Sequence, residues 1–170
     1  HNICASDGVK KGAIFSIDSV SRVITKLIEE TNKSFNLTPG LFRVNISDTH
    51  LTCTDGKGKV SVNEVVTRND VDAVLASAMA MSTPSNKEKI HRIKKKFTIN
   101  ESVVVDNPLE MKAEFLESKV HIVTVSSASV RNIENCLKQS DLQVDKIVLT
   151  SIAKSHAILT QEEKDNGVCI

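Results

Sequence analysis

Two segments of the chain each place an amphipathic helix just before an apolar strand, and this repeated unit constrains the fold more than any other feature. In the first, apolar residues recur at helical spacing over residues 18–35, with Asp18 or Ser19 as the expected N-cap, and "LFRVNIS" follows as a strand. In the second, the apolar stripe of "SASVRNIENCLKQSD" precedes the strand "VDKIVLT". Apolar strands that alternate with helices indicate an α/β layer on a largely parallel sheet.

The segment between these two units begins with a different pattern. In "HLTCTDGKGKVSVNEVV" the glycines of DG and KG supply the positive φ angles of a hairpin turn, so the pattern predicts two short strands joined at residues 55–58. The composition of "DGKGK" also suits a phosphate-binding loop, but such a loop normally opens a helix, and this turn joins two strands. A plain hairpin turn is therefore the favoured interpretation.

A short helix and two further strands follow. Thr67 and Asp70 form a TxxD capping box, which predicts a helix over residues 69–81. Its inner face is expected to carry Val71, Val74, Leu75 and Ala78. The segments "KIHRIKKKFTI" and "FLESKVHIVTV" predict strands. We expect a small α+β module to be inserted into a discontinuous α/β domain, with the module at 47–126 and the two halves of the outer domain at 1–46 and 127–170.

Both ends of the chain have a strand-like pattern. The chain opens on "HNIC" and closes on "GVCI", and a turn cluster of Asp165, Asn166 and Gly167 leads into the last apolar residues. We therefore expect this sequence to be a piece of a longer protein, with a new strand beginning at Val168.

Composition and the absence of short motifs exclude several classes of function. The 22 Lys and Arg residues against 21 Asp and Glu leave a net charge of +1, so no global field attracts nucleic acid or anionic lipid. The four cysteines are far apart and suggest neither a zinc site nor a disulfide framework. There is no Trp or Tyr to stack on a flat ligand, and no GxxxxGK[ST], GxGxxG, HExxH or GxSxG motif occurs.

The run "KEKIHRIKKK" is the main local concentration of charge. Its candidate partner-binding residues are Lys87, Lys89, Arg92, Lys94 and Lys96. Aromatic residues do not interleave with the run, and only alternate residues of a strand face one way. The pattern favours a solvated edge strand that its lysines protect from aggregation, followed by a docking site for an acidic protein segment, and then by nucleic acid.

Other polar residues have structural interpretations. His121 and His156 lie in apolar surroundings with no carboxylate nearby in sequence, so we expect both to be packed in the core. Ser126, Ser127 and Ser129 stand just before a predicted helix, where capping of backbone N–H groups is expected.

Longer segments of the sequence resemble one known family. The segments "KVHIVTV", "CLKQSDLQVDKIVL" and "SIAKSHAILTQEEKDNGVCI" occur in the order and at the spacing of FtsA, the bacterial actin-like cell-division family, and "DGVKKGAIFSIDSVSRVI" and "RVNISDTHLTC" extend the resemblance upstream. The resemblance implies a partial actin-like (ribonuclease H-like) subdomain, called 1A, made of 1–46 and 127–170. It also implies an inserted SHS2-like subdomain, called 1C, over 47–126.

The same resemblance implies a role in the cytoplasm at the inner face of the membrane. FtsA-like proteins link the FtsZ ring to the bilayer in cell division, and their contacts with FtsZ and membrane lie in parts outside this chain. Subdomain 1C contributes to self-assembly with other FtsA copies and receives later division proteins such as FtsN. The segment "NPLEMKAEFLESK" departs from common members of the family, so the details of that surface are not carried over.

ATP with Mg²⁺ is implied for the full-length protein only. In the family one phosphate loop precedes "HNIC" and a second follows the strand that "GVCI" begins. We therefore expect this segment to bind no cofactor and to catalyse no reaction. Thr150 and Ser151 stand where some actin and Hsp70 relatives have an acidic residue, so strong ATP hydrolysis is not expected of the parent either.

Two rival interpretations remain open at this point. The chain could be a fragment of another actin-fold ATPase of the Hsp70-like or pilus-assembly type, although Hsp70-type proteins have no SHS2-like module at this place. It could also be a nucleic-acid binder that uses residues 87–96, which predicts an affinity that falls steeply with salt.

Overall fold

A computed structural model describes residues 2–35, 41–47 and 51–169. In chain order its elements are β1 (Val9–Lys10), β2 (Ala13–Ile14), α1 (Ile17–Phe35), β3 (Leu41–Ile46), β4 (Thr52–Ser61), α2 (Arg68–Met79), β5 (Lys87–Ile99), β6 (Val103–Val105), β7 (Phe115–Ser126), α3 (Ser127–Lys138), β8 (Gln143–Leu149), α4 (Thr150–Ile158) and α5 (Gln161–Asn166). The chain separates into two compact units, the outer unit of His1–His50 with Val125–Ile170 and the inner unit of Leu51–Thr124. The sequence placed the inserted module at 47–126.

The outer unit contains the parallel strand pair that the sequence predicts. β3 and β8 run parallel in a register that pairs Val44 with Ile147 and Ile46 with Leu149. Adjacent parallel strands need a long crossover connection, and here α3 forms the last part of it. The α/β class is therefore confirmed for this unit.

Helix α1 begins slightly earlier than predicted. The N–H groups of Phe15 and Ser16 both donate to the Gly8 carbonyl oxygen, at 2.9 and 3.3 Å, and hold Ser16 just before the helix. The Ser19 N–H then donates to Ser16 Oγ at 3.3 Å. The predicted N-cap, Asp18 or Ser19, was wrong, because these contacts place the cap at Ser16 and start the helix at Ile17.

Helices α1 and α3 pack through a small buried polar contact. Ser21 is buried on α1, and its hydroxyl lies 2.9 Å from the Ile17 carbonyl oxygen and 3.1 Å from the Cys136 carbonyl oxygen of α3. Val130 and Leu137 of the predicted apolar stripe on α3 are buried, as expected. The helix pair therefore combines apolar packing with a satisfied serine hydroxyl.

The last part of the outer unit differs from the sequence prediction. Helix α5 begins with a capping box between Thr160 and Glu163 and ends at Asn166, just before Gly167, whose φ of 79° suits glycine. Val168 and Cys169 do not form a strand. The predicted strand at Val168 was wrong for the described residues, because a strand needs a neighbour to satisfy its backbone and none of the described strands pairs there.

The inner unit is a four-stranded sheet with the order β4-β7-β5-β6 and with α2 packed against it. β4 and β7 are antiparallel over the whole length of β4, from Thr52 opposite Thr124 to Ser61 opposite Phe115. β5 and β6 form an antiparallel hairpin whose turn residues Asn100 and Glu101 have φ angles of 48° and 61°. This matches the predicted small sheet with one covering helix.

The predicted hairpin at residues 55–58 was wrong. β4 continues as one strand through Gly56 and Gly58, and neither glycine has a positive φ. A Cβ built on Gly56 would overlap the Ala78 carbonyl oxygen, and one on Gly58 would lie 2.8 Å from the Ala78 backbone nitrogen. The glycines are needed because the backbone of α2 crosses the strand at this point, and not because the chain turns.

Helix α2 and the core beneath it agree with the sequence. Thr67 and Asp70 form the capping box, with the Asp70 N–H donating to Thr67 Oγ1 at 3.4 Å and the Thr67 N–H donating to Asp70 Oδ2 at 2.8 Å. Val74 and Ala78 are fully buried, and Val71 and Leu75 pack at the border of the core. The main core cluster is Val66, Val74, Phe97, Ile99, Ala113 and Leu116.

Candidate interaction surface

The sheet of the inner unit has a covered face and an open face. Gly56 and Gly58 of β4 lie against α2, and successive side chains of a strand point to opposite faces. The neighbouring side chains therefore form the open face, which we define as Asp55, Lys57, Lys59, Glu117, Lys119 and His121. All six side chains are exposed or half-buried. The open face is a charged surface, in contrast to the apolar core on the other side of the sheet.

A three-residue network occupies one end of the open face. His121 lies directly opposite Asp55, with Nδ1 2.7 Å from Asp55 Oδ1, and Lys95 Nζ from β5 lies 2.7 Å from Asp55 Oδ2. The hydrogen bond from Lys95, and next the one with His121, lower the pKa of Asp55 to about 2. Asp55 therefore stays ionised at any pH near neutral and contacts both the Lys95 ammonium and the His121 ring.

A second network occupies the other end of the open face. Lys59 contacts Glu117 at 2.9 Å and also pairs with Glu101 from the turn after β5, while its ammonium lies 4.8 Å from the centre of the Phe115 ring. The hydrogen bonds to Glu101 and Glu117 raise the pKa of Lys59, and Lys59 lowers the pKa of Glu101. Both networks are solvent-exposed, so they order the surface more than they stabilise the fold.

Lys57 and Lys119 lie between these two networks. They are direct partners across β4 and β7, and no described residue provides either of them with a carboxylate partner. Both line a shallow cleft of about 260 Å³. The remaining lining residues are Gly58, Lys95, Lys96, Thr98, Glu117 and Ser118. Two cations therefore face each other without compensation at the centre of the open face.

Two of the predicted partner-binding residues of β5, Lys87 and Lys89, make hydrogen bonds within the inner unit. Lys87 donates to Thr52 Oγ1, and Lys89 Nζ donates to the Met81 and Met79 carbonyl oxygens at 2.7 and 3.2 Å, at the end of α2. A lysine at this position satisfies carbonyl groups that a helix leaves unpaired at its C-terminus. These two side chains therefore have structural contacts within the inner unit.

The other members of that run differ among themselves. Lys96 Nζ lies 3.4 Å from Asp106 Oδ1, whereas Arg92 and Lys94 are exposed and have no described partner. β5 lies between β7 and β6, but β6 pairs only with Phe97, Thr98 and Ile99 of β5. The earlier residues of β5 therefore have one neighbouring strand, β7, in the described sheet. The role of Lys87, Lys89, Arg92, Lys94 and Lys96 in binding a partner stays a prediction.

Sequence reasoning missed Asp55, Lys57 and Lys119 as surface residues. The segment "DGKGK" predicts a turn, and in a turn side chains do not alternate between two faces. Because the segment is a strand, Asp55 and Lys57 point to the same face of the sheet. His121 was expected in the core because no carboxylate lies near it in sequence, and this was wrong because Asp55 is brought beside it from another strand. His156 is exposed on α4, so the core prediction was wrong there too.

Ser126, which immediately precedes α3, does not cap the helix through its side chain. Ser126 is the N-cap residue, but its hydroxyl makes no capping hydrogen bond, and Ser127 is buried. The capping role predicted for these serines is therefore wrong for Ser126. The described cysteines are all free thiols. Burial raises the pKa of Cys136, which lies in the contact between α1 and α3.

The outer unit contains an apolar cavity of about 510 Å³. Side chains of α1, β3 and α3 line it, including Ile24, Val44 and Ile133. In the described part of the chain, no group of three or more His, Cys, Asp or Glu side chains is arranged to hold a metal ion. Among the described helices we find none with the length and apolar character that a membrane crossing requires.

Comparison with known proteins places the inner unit in a defined family. Residues 48–124 match the family model described as the SHS2 domain inserted in FtsA. The chain is 31% identical over 166 residues to the cell division protein FtsA of Pseudomonas aeruginosa. The aligned region covers 97% of this chain and 40% of the relative. FtsA of Borreliella burgdorferi is also 31% identical over 166 residues, and FtsA of Escherichia coli is 25% identical over 168 residues.

The chain spans about 40% of the length of these relatives. A solved structure described as the PilM-PilN type IV pilus biogenesis complex is also similar, with a TM-score of 0.52 and 12% sequence identity, over 91% of this chain and 40% of that chain. At this identity the likeness shows the fold alone. Together the comparisons show an SHS2 domain within an actin-like α/β framework.

Proposed function

We propose, starting from the FtsA family to which this chain belongs, that it is a protein-interaction and assembly segment of a protein that links the FtsZ ring to the membrane in bacterial cell division. The observation that carries this proposal is the match of residues 48–124 to the SHS2 domain inserted in FtsA. The inner unit, Leu51–Thr124, has a charged open face and a strand edge at β4 with which no described strand pairs. Such a surface suits transient protein contacts, with an interface near or below roughly 1,200 Å² and a weak affinity.

The partners we propose are those of a division assembly. One is a second FtsA copy, through head-to-tail self-assembly, and another is the cytoplasmic tail of a later division protein such as FtsN. FtsZ and the bilayer contact the full-length protein through parts outside this chain. The site of action is the cytoplasmic face of the membrane at the division plane.

We propose no catalytic role for this segment. Gly56 and Gly58, in the "DGKGK" sequence whose composition suits a phosphate loop, lie against the backbone of α2, so the described residues there do not fit a nucleotide phosphate. The carboxylate nearest His121 belongs to Asp55, which Lys95 also contacts on an open surface. ATP with Mg²⁺ is proposed for the full-length protein, through residues outside this chain.

The proposal is tested with the purified chain in two assays. Sedimentation velocity over a range of concentrations measures self-association, and fluorescence anisotropy measures binding of the labelled cytoplasmic tail of a later division protein from the same organism. We expect weak, saturable binding in at least one assay. The proposal fails if neither self-association nor tail binding occurs at high micromolar concentration.

A double variant tests whether the cations of β5 take part in tail binding. The double variant Arg92→Gln and Lys94→Gln removes two exposed cations that have no described partner. Weaker tail binding by this variant would support the predicted role of the run Lys87, Lys89, Arg92, Lys94 and Lys96. Unchanged binding would assign the contact to another part of the chain.

A further inference from the structure

The facing pair of Lys57 and Lys119 is an electrostatic anomaly on the open face. Like charges directly opposite each other on adjacent strands destabilise a sheet. The neighbouring cations are compensated, because Lys59 pairs with Glu117, Lys95 with Asp55, and Lys96 with Asp106. Lys57 and Lys119 have no such partner among the described residues. An anionic group from outside the chain would compensate them.

The free edge of β4 provides a second, independent feature at the same place. β4 is the end strand of the described sheet, and its whole length of Thr52–Ser61 pairs with β7 on one side only. On its other side no described strand pairs with the backbone of β4, so its outward N–H and C=O groups suit pairing with an added strand. Addition of an extended peptide to such an edge is a common mode of recognition.

We propose that an extended acidic segment of a partner protein pairs with the free edge of β4 and places its carboxylates against Lys57 and Lys119. This inference rests on the proposed function and names the chemistry of one partner of the inner unit. Backbone pairing with β4 supplies the alignment, and the two lysines select for negative charge.

The geometry of an added strand fits this charge pattern. Side chains two residues apart on a strand point to the same face about 7 Å from each other. An added strand lies about 5 Å from β4 and about 10 Å from β7, so carboxylates on its open side directly face Lys57 and lie within reach of the long side chain of Lys119. The segment should therefore carry Asp or Glu at alternate positions.

A continuous polyanion fits this surface less well. Asp55 and Glu117 lie on the open face beside the lysines, and Glu101 pairs with Lys59 at one end of it. Duplex nucleic acid carries about one charge per 1.7 Å, so its phosphates would also face these carboxylates. A segment with spaced carboxylates contacts the two uncompensated lysines and avoids the acidic side chains.

The inference is tested by fluorescence anisotropy with the purified chain and synthetic peptides of about ten residues, the length of a long strand. The probe alternates threonine and glutamate. The first control alternates threonine and lysine, and the second has the acidic sequence with proline at two central positions, because proline cannot donate to a strand partner. We expect the acidic probe to bind and both controls to bind much more weakly.

Variants of the chain locate the contact. Lys57→Glu and Lys119→Glu are each expected to weaken binding of the acidic probe by roughly threefold to tenfold. Lys94→Glu, which makes the same charge change at an exposed site on β5, should leave binding almost unchanged. Lys57→Gln and Lys119→Gln keep the test valid if a charge reversal disturbs the fold, and the circular dichroism of every variant is compared with that of the parent.

Several outcomes would overturn the inference. It fails if the acidic probe does not bind, if the Lys57 and Lys119 variants bind like the parent, or if the proline peptide binds as well as the probe. It also fails if duplex DNA or vesicles with anionic lipid compete for the two lysines more strongly than the peptide does. Binding of a division-protein tail that does not depend on Lys57 or Lys119 would leave the proposed function standing and remove this inference alone.

Discussion

The carbonyl oxygen of Ala78 occupies the space where a side chain at Gly56 would begin. A Cβ built on Gly56 would overlap this oxygen and would lie 3.1 Å from the Ala78 carbonyl carbon and 3.4 Å from Ile122 Cδ1. The atoms in the way belong to the backbone of α2 and to a buried side chain, so they have little freedom to move. The contact between α2 and β4 therefore depends on glycine at this position.

Substitution of this glycine tests how closely α2 approaches the sheet. Gly56→Ala should lower the free energy of unfolding by about 2–3 kcal/mol, because the methyl group forces α2 away from β4. Urea denaturation followed by circular dichroism measures the change. Lys94→Ala, at an exposed site on β5 with no described partner, is the control and should change stability by less than about 0.5 kcal/mol. Equal effects of the two substitutions would contradict the structure.

The capping box of α2 makes a second prediction. Thr67→Ala removes the hydroxyl that accepts from the Asp70 N–H and should lower the free energy of unfolding by about 1 kcal/mol. Thr67→Ser retains the hydroxyl and should restore most of that loss. Thermal melts of the three proteins measure the difference. A serine variant as unstable as the alanine variant would indicate that the hydroxyl does not cap the helix.

The network around Asp55 predicts how the stability of the folded protein changes at low pH. Its pKa in the folded protein is about 2, below the ordinary value of 3.8, because Lys95 and His121 bind its carboxylate. A carboxyl group with a lowered pKa stabilises the folded protein at pH values above its ordinary pKa. This contribution is lost as the pH falls from about 4 through 2. Asp55→Asn should therefore lose less stability than the parent between pH 4 and pH 2.

Measurement of the carboxyl itself checks the cause. An NMR titration of the Asp55 side chain should give a pKa near 2 in the parent and a higher pKa in Lys95→Met, since Lys95 makes the largest contribution. The Lys96→Met variant is the control, because Lys96 contacts Asp106 and not Asp55. An Asp55 pKa that is the same in all three proteins would contradict the observed geometry.

The uncompensated lysine pair makes a prediction about stability. Lys57→Gln should raise the free energy of unfolding by up to about 1 kcal/mol, because it removes a like charge opposite Lys119. The gain should shrink as salt screens the repulsion in the parent. Denaturation at low and high salt measures this effect. Lys94→Gln is the matched control, and a gain as large there would show that total charge, and not the facing pair, is responsible.

Local signals made α1, α2 and α3 predictable. A helix is closed by hydrogen bonds between near neighbours, so the apolar period and the capping box of Thr67 and Asp70 carry enough information to locate it. The hairpin prediction at residues 55–58 failed because glycine is compatible both with a turn and with close approach of another backbone. Only the position of Ala78 on α2 distinguishes these two roles for Gly56.

The candidate surface depended on strand register. Asp55 and His121 are 66 positions apart in the chain, and Lys57 and Lys119 meet through the same antiparallel pairing of β4 with β7. A shift of this pairing by one residue would separate both pairs and send one member of each to the opposite face. Without this register, sequence reasoning focused on the contiguous lysines of β5, of which Lys87, Lys89 and Lys96 make contacts within the inner unit.

The sequence by itself determined the helices, most of the strands, the α/β class and the resemblance to FtsA, because these depend on periodicity and on ordered segments along the chain. Tertiary structure alone decided that Gly56 and Gly58 lie within a strand, that His121 faces Asp55, and that Lys57 faces Lys119. The physical reason is that a strand satisfies its backbone through distant partners. Its side chains acquire neighbours, charges and roles only when the register of those partners is set.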